Sequence, residues 1–307
     1  MSTTQSGKQL GTQQTDTLRP ENYFKVADNM LYPPLYRAAY SDRMAWVLAS
    51  MSQLAYERFE DEGEPCQTFE TKLESGKFGF KLIRTFNDPK TDTQAFLARN
   101  KDFAVLAFRG TEVTKTKDIL TDIKASKTGD VHGGFMIAYK SVAADIRKSL
   151  SGLGGIPLYV TGHSLGAALA VVATYNLEND GDYPQFRNMI AACYTFGSPR
   201  VGNRKYDFRA PIYRVVNTTD IVTAIPLLAM GYVHIGDVRF LGMKEGEFQR
   251  GVPILRRLFL FIITVLRFFS PLVKDHGIEQ YRRKLQVIAE QRNDREAIKR
   301  HHLELVK

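Results

Sequence analysis

Apolar residues in this chain of 307 residues gather in short, nearly uninterrupted runs set between longer amphipathic stretches. Phe103–Phe108, Leu158–Thr161, Ile190–Phe196 and Ile212–Val216 have the look of strands buried on both faces. Phe78–Thr85 and Thr93–Ala98 read as two further strands around the turn signal Asn87-Asp88-Pro89. Helical spacing fills the intervals: Gly134–Leu150, Leu165–Leu177 and, near the C-terminus, Ile278–Glu304. An earlier helix spans Ser41–Tyr56, with Ser41 as its N-cap and Ala45, Leu48, Met51 and Ala55 spaced for one face. Strands alternating with helices predict an α/β fold with a mostly parallel central sheet flanked by helices.

Composition narrows this picture only a little. A hydrophobic content of 44% supplies a sizeable core and excludes general disorder. No internal repeat and no linker interrupts the chain after Tyr23, so residues 23–307 are expected to form one domain behind a flexible tail, residues 1–22. That tail is rich in Ser, Thr, Gln and Gly and lacks the apolar core of a signal peptide. A cytoplasmic or peripheral membrane location is therefore expected, with signal-independent export left open. The net charge of +9 favours anionic partners without choosing among membrane surfaces, nucleic acid and acidic substrates. The terminal segment from Arg282 to Lys307 mixes both charge signs and reads as a solvated helix face, which argues against a nucleic-acid reader. Of the two cysteines, Cys193 sits in an apolar run as a buried thiol; neither has metal-ligand spacing, and no metal or organic cofactor is expected.

The chemistry concentrates at Gly162-His163-Ser164-Leu165-Gly166, between the strand-like Leu158–Thr161 and a strong helix former. G-x-S-x-G in that setting is a nucleophile elbow. Side chains at Gly162 and Gly166 would meet neighbouring backbone, Ser164 is held strained and exposed at a sharp turn, and the backbone N–H of Leu165 at the helix start can face a developing oxyanion. An acyl-transfer serine also needs a base and an orienting acid. Asp220 falls just past the strand Ile212–Val216, where reacting groups gather in open α/β sheets. Of six histidines, those that follow the serine within the body of the chain are His234 and His276, and the residue pattern leaves both as candidates for the base.

From about Trp46 to Tyr281 the chain resembles the class 3 lipase family of α/β-hydrolases. Five blocks carry the resemblance: Phe108-Arg109-Gly110-Thr111; Val131-His132-Gly133-Gly134-Phe135; the elbow; Tyr194–Asn203; and Asn217–Pro226 with Asp220-Ile221-Val222. The resemblance implies an α/β-hydrolase fold and a serine carboxylester hydrolase acting on glycerolipid acyl esters, as a triacylglycerol lipase or phospholipase A1. It implies an oxyanion hole completed by Thr111 and places the base at His276, since Asp275–Tyr281 is similar to the family's base block while Tyr232–Gly236 is similar to a non-catalytic one. The expected triad is Ser164, Asp220 and His276, with His234 as the fallback. Arg109 is expected to tie loops together near the hole rather than to bind an anion.

Two regions depart from the simplest pattern of that family. Glu112–Asp130 is polar and reads as a surface helix rather than an oily lid. Residues 252–273 form the oiliest stretch, but arginines leave only Leu258–Leu266 uninterrupted, too short for the roughly 20 apolar residues of a span. On a helical wheel Arg256, Arg257, Thr264 and Arg267 share one sector. The segment is expected to be a cap or membrane-docking helix beside the site, giving a peripheral membrane interface; a packing helix is the alternative. Two other functions compete with the lipase reading: a short-chain carboxylesterase, and a non-catalytic membrane-binding protein on a hydrolase scaffold, which would need none of the three polar residues.

Overall fold

The computed structural model describes residues 20–25, 39–61, 63–110, 131–202, 207–217, 220–224, 233–242, 246–249 and 276–305. Its frame is one eight-stranded sheet in which spatial order equals chain order. The strands are β1 (Lys81–Asp88), β2 (Thr93–Arg99), β3 (Ala104–Phe108), β4 (Leu158–His163), β5 (Ile190–Phe196), β6 (Ile212–Asn217), β7 (Asp237–Leu241) and β8 (Phe248–Gln249). β2 runs antiparallel to its neighbours β1 and β3, β3 to β7 are parallel, and β8 returns antiparallel.

The period of two along each strand sorts side chains between two cores. Val105, Ala107, Tyr159, Tyr194, Phe196, Tyr213 and Val215 face one side, which is covered by α1 (Asp42–Leu54), α2 (Glu64–Glu74) and α6 (Ile278–Leu305). Leu106, Phe108, Leu158, Val160, Cys193 and Ile212 face the other, covered by α3 (Val131–Ser151), α4 (Leu165–Glu178) and the short α5 (Phe186–Met189). With both faces covered, the central strands are apolar throughout, as their runs predict. The expected α/β-hydrolase architecture is the one observed.

Ser41 caps α1, its hydroxyl accepting from the Met44 N–H at 3.3 Å. That helix is buried on nearly every side, not on one face alone, because α6 covers it as well as the sheet: Arg292 pairs with Asp42 at 2.6 Å and Arg282 Nε donates to Ser50 Oγ at 2.9 Å. β1 starts three residues later than the apolar pattern predicts. Gly76–Phe78 forms a 3-10 turn that drives Phe78 and Phe80 into the core, and the strand then runs through Asn87 and Asp88. The hairpin turn comes after them: the Asp88 carboxylate accepts from Lys90 N–H at 3.3 Å and from the Thr91 hydroxyl at 2.7 Å. Cys66 and Cys193 are both free, and burial pushes the Cys193 thiol up to about 12. The expected surface helix at 112–130 and the oily segment 252–273 lie outside the described residues.

Candidate active site

β4 delivers the elbow. It ends at His163, Ser164 adopts φ 56° and ψ −126°, and α4 begins at Leu165. A non-glycine residue in that region is strained and persists only where its surroundings over-determine it. Here the glycines do so: a Cβ on Gly162 would lie 2.2 Å from Gly166 O, and one on Gly166 2.5 Å from Phe108 O, so only bare backbone lets the turn close against β3. The Ser164 N–H donates to Phe196 O at 3.0 Å, tying the turn to β5. As the first residue of α4, Leu165 carries one of the N–H groups that a helix leaves without an intrahelical acceptor.

Two other segments converge on the same end of the sheet. Asp220 lies just past β6, its N–H donating to Asn217 O at 2.9 Å. His276 lies just before α6. Its Nε2 stands 2.8 Å from Ser164 Oγ, and its Nδ1 stands 3.0 and 2.9 Å from the two Asp220 oxygens. A carboxylate only accepts, so Nδ1 carries the proton and Nε2 is left to accept from the serine hydroxyl. Ser164, expected to be exposed at its turn, is instead fully buried, as is His276, and Asp220 is nearly so. The structure thus brings Ser164, Asp220 and His276 into one hydrogen-bonded chain and seats His276, not His234, against the serine. Thr111 lies outside the described residues.

Three further side chains hold this chain, and sequence reasoning missed their roles. The Tyr281 hydroxyl donates to Asp220 Oδ2 at 2.5 Å and accepts from the Asn217 N–H at 3.0 Å, while the Val222 N–H donates to Asp220 Oδ1 at 3.0 Å. His163 packs its ring 4.5 Å from that of His276, with Nε2 at 2.6 Å from the His276 carbonyl oxygen and Nδ1 at 2.7 Å from the Tyr56 hydroxyl. Burial, and secondarily the neighbouring His276, hold the His163 imidazole well below the usual histidine range. Gly197, at φ +58°, passes so close that a Cβ there would lie 2.7 Å from Asp220 Oδ2 and 3.0 Å from His276 Nδ1. Tyr281 stands inside the same short block as His276, the one signal that could have found it.

Arg109 does what its loop-tying reading expects. Its guanidinium donates to Ala55 O at 2.5 Å, to Glu57 O and to both carboxylate oxygens of Glu60, and it lies 4.6 Å over the Phe59 ring. Glu60 is held below its ordinary range: its partial burial pushes the other way, and the Arg109 hydrogen bonds and charge outweigh it. Among the described residues no group of three or more His, Cys, Asp or Glu side chains is placed to hold a metal ion.

This arrangement has counterparts. Residues 105–230 match the family model Lipase (class 3). A lipase of Rhizopus niveus is 31% identical over 172 residues, covering 51% of this chain and 43% of the relative. The secreted mono- and diacylglycerol lipase A of Penicillium cyclopium is 36% identical over 160 residues, covering 47% of this chain and 50% of the relative. The chain thus spans about half the length of these curated relatives, or less. In three dimensions it is similar to the crystal structure of a lipase from Rhizopus microsporus var. chinensis, with a TM-score of 0.50 and 25% identity, over 72% of this chain and 81% of that one. The expected cytoplasmic or peripheral membrane location is contradicted by these relatives, of which the Penicillium protein is named as secreted. Among the described residues no helix is long and apolar enough to cross a membrane. The family model matching residues 105–230, the fungal relatives and the shared sheet together make this part of the chain similar to the class 3 lipase family.

Proposed function

We propose that the protein is a serine carboxylester hydrolase that cleaves acyl esters of glycerolipids through Ser164, His276 and Asp220. The observation that carries this is the continuous chain from Ser164 Oγ to His276 Nε2 at 2.8 Å and from His276 Nδ1 to the Asp220 carboxylate at 2.9 Å. His276 takes the proton of Ser164 as Oγ attacks the ester carbonyl. It returns that proton to the leaving alcohol, and Asp220 stabilises the imidazolium formed in between. Water activated by the same histidine then hydrolyses the acyl-enzyme. The oxyanion is met by the Leu165 N–H, with Thr111 as the second donor; losing one such donor costs about 3–4 kcal/mol in the transition state.

The relatives support an oily acyl substrate, since they are named lipases and one is named for mono- and diacylglycerols. For the surface the enzyme meets, the support is the sequence of 252–273, where Phe259, Phe261 and Phe268 alternate with a sector of arginines suited to lipid phosphates. We take residues 23–307 as one domain, a reading supported by the single sheet and by the Arg292–Asp42 ion pair between the last and first long helices.

A fluorophosphonate probe should label the protein at Ser164, and Ser164→Ala or His276→Ala should abolish hydrolysis of a soluble short ester while the protein stays folded. If His234→Ala abolishes it and His276→Ala does not, the base is misassigned. A panel of triolein, monoacylglycerol and phosphatidylcholine separates the lipid classes. Serine at Phe259, Phe261 and Phe268 should cut vesicle binding yet spare the soluble ester; loss of both would make the segment part of the core.

A further inference from the structure

We infer that His163 is a positioning residue for this reaction: in its Nε2–H tautomer, selected by the Tyr56 hydroxyl, it clamps the backbone carbonyl of His276 and fixes the base between Ser164 and Asp220. The inference rests on the triad reading given above.

The geometry allows one proton arrangement. The His276 carbonyl can only accept, so at 2.6 Å the facing His163 Nε2 must carry a hydrogen. In a neutral imidazole the other nitrogen is then an acceptor, and the Tyr56 hydroxyl at 2.7 Å must donate to it. Burial and the neighbouring His276 both favour the neutral ring. The alternative tautomer would turn a lone pair on Nε2 towards the carbonyl oxygen, so Tyr56 decides whether the clamp attracts or repels. His163 is also the last residue of β4 and directly precedes Ser164. The strand that aims the nucleophile therefore also grips the loop that carries its base. His276 lies two residues before α6, and the His163 contact holds its carbonyl from the sheet side. A fixed contact here sets the distance from Nε2 to Oγ, and a shift of about 1 Å in such a pair can cost about 100-fold in rate.

The test is a double-mutant cycle on the full chain, read as kcat and KM for p-nitrophenyl butyrate and as the rate of fluorophosphonate labelling. His163→Phe keeps the ring volume and removes the clamp; kcat should fall about 10- to 100-fold with KM changed by less than about twofold. His163→Gln places an amide N–H near the same spot and should restore about tenfold or more of that loss. A glutamine amide always offers its N–H and needs no tautomer control. Tyr56→Phe should therefore cost at least about fivefold in the parent and less than about twofold in the His163→Gln background. An equal cost in both backgrounds would assign Tyr56 a purely structural role and overturn the inference, as would a His163→Phe kcat within about twofold of the parent. Should His163→Phe fail to fold by circular dichroism, the cycle of Tyr56→Phe with His163→Gln decides alone. A parent protein that neither labels nor hydrolyses would bring down the triad reading and this inference with it; an active parent without coupling brings down the inference only.

Discussion

Lowering the pH should destabilise the folded protein through His163, by an amount that can be isolated. The side chain is fully buried and both ring nitrogens are engaged, one facing the Tyr56 hydroxyl and the other the His276 carbonyl. Protonating it would put a charge into a buried site 4.5 Å from a second imidazole, so the folded state holds it neutral to well below its ordinary range. The unfolded chain takes up the proton near pH 6.5. Below that pH the unfolded state therefore binds more protons, and stability falls as pH falls, with a limiting slope of about 1.4 kcal/mol per pH unit. Integrated from pH 7 to 5.5 with no protonation of the folded form, His163 alone removes about 1.3 kcal/mol. His163→Gln has no proton to take up at this position. Its urea-unfolding stability, measured from pH 7 to 5.5, should decline less steeply than that of the parent by this amount, whatever constant offset the substitution adds. Parallel declines for the two proteins would refute the argument.

Other perturbations follow from the same contacts. Gly197→Ala should lower kcat for a soluble ester about 100-fold while costing about 1–2 kcal/mol of stability in urea, because the new methyl at φ +58° meets both Asp220 and His276. Tyr281→Phe takes one donor from the Asp220 carboxylate and one acceptor from the Asn217 N–H; a loss of about 2–4 kcal/mol in urea unfolding is expected, with a lower kcat. Arg109→Lys keeps the charge but cannot bridge Ala55 O, Glu57 O and Glu60 at once, so calorimetry should find it destabilised by about 2 kcal/mol.

What the sequence revealed, and what it hid, divides along physical lines. β3 to β6 were legible because burial on both faces makes a strand apolar at every position, and α1 because Ser41 caps it. The elbow was legible because the glycines are dictated locally. β7 was not: Asp237-Val238-Arg239 has no apolar run to mark it, yet Arg239 is buried, lying 5.1 Å from the Tyr40 ring and 5.5 Å from that of Tyr213, with Asp237 as its ion partner at 2.7 Å. β8 is only two residues long, and α2 has a small apolar anchor in Phe69 and Leu73, too sparse for a periodic signal. At the site, Ser164 and Asp220 could be read from types and order, while the residue pattern left His234 and His276 both open and the resemblance alone pointed to His276. His163, Tyr56 and Tyr281 could not, because their roles exist only across contacts that span 61 to 113 residues.

The sheet whose spatial order repeats its chain order has a bearing on synthesis. Each strand finds its neighbour already beside it, so the sheet can be laid down progressively as the polypeptide emerges from the ribosome. The serine and its acid are in place by residue 220, but the histidine arrives only with residue 276, and the helix behind it must then dock on α1 near the other end. If the proposed triad does the chemistry, a nascent chain built in this order has its serine and acid but no base until residue 276 is made. That histidine is then seated as α6 packs over α1.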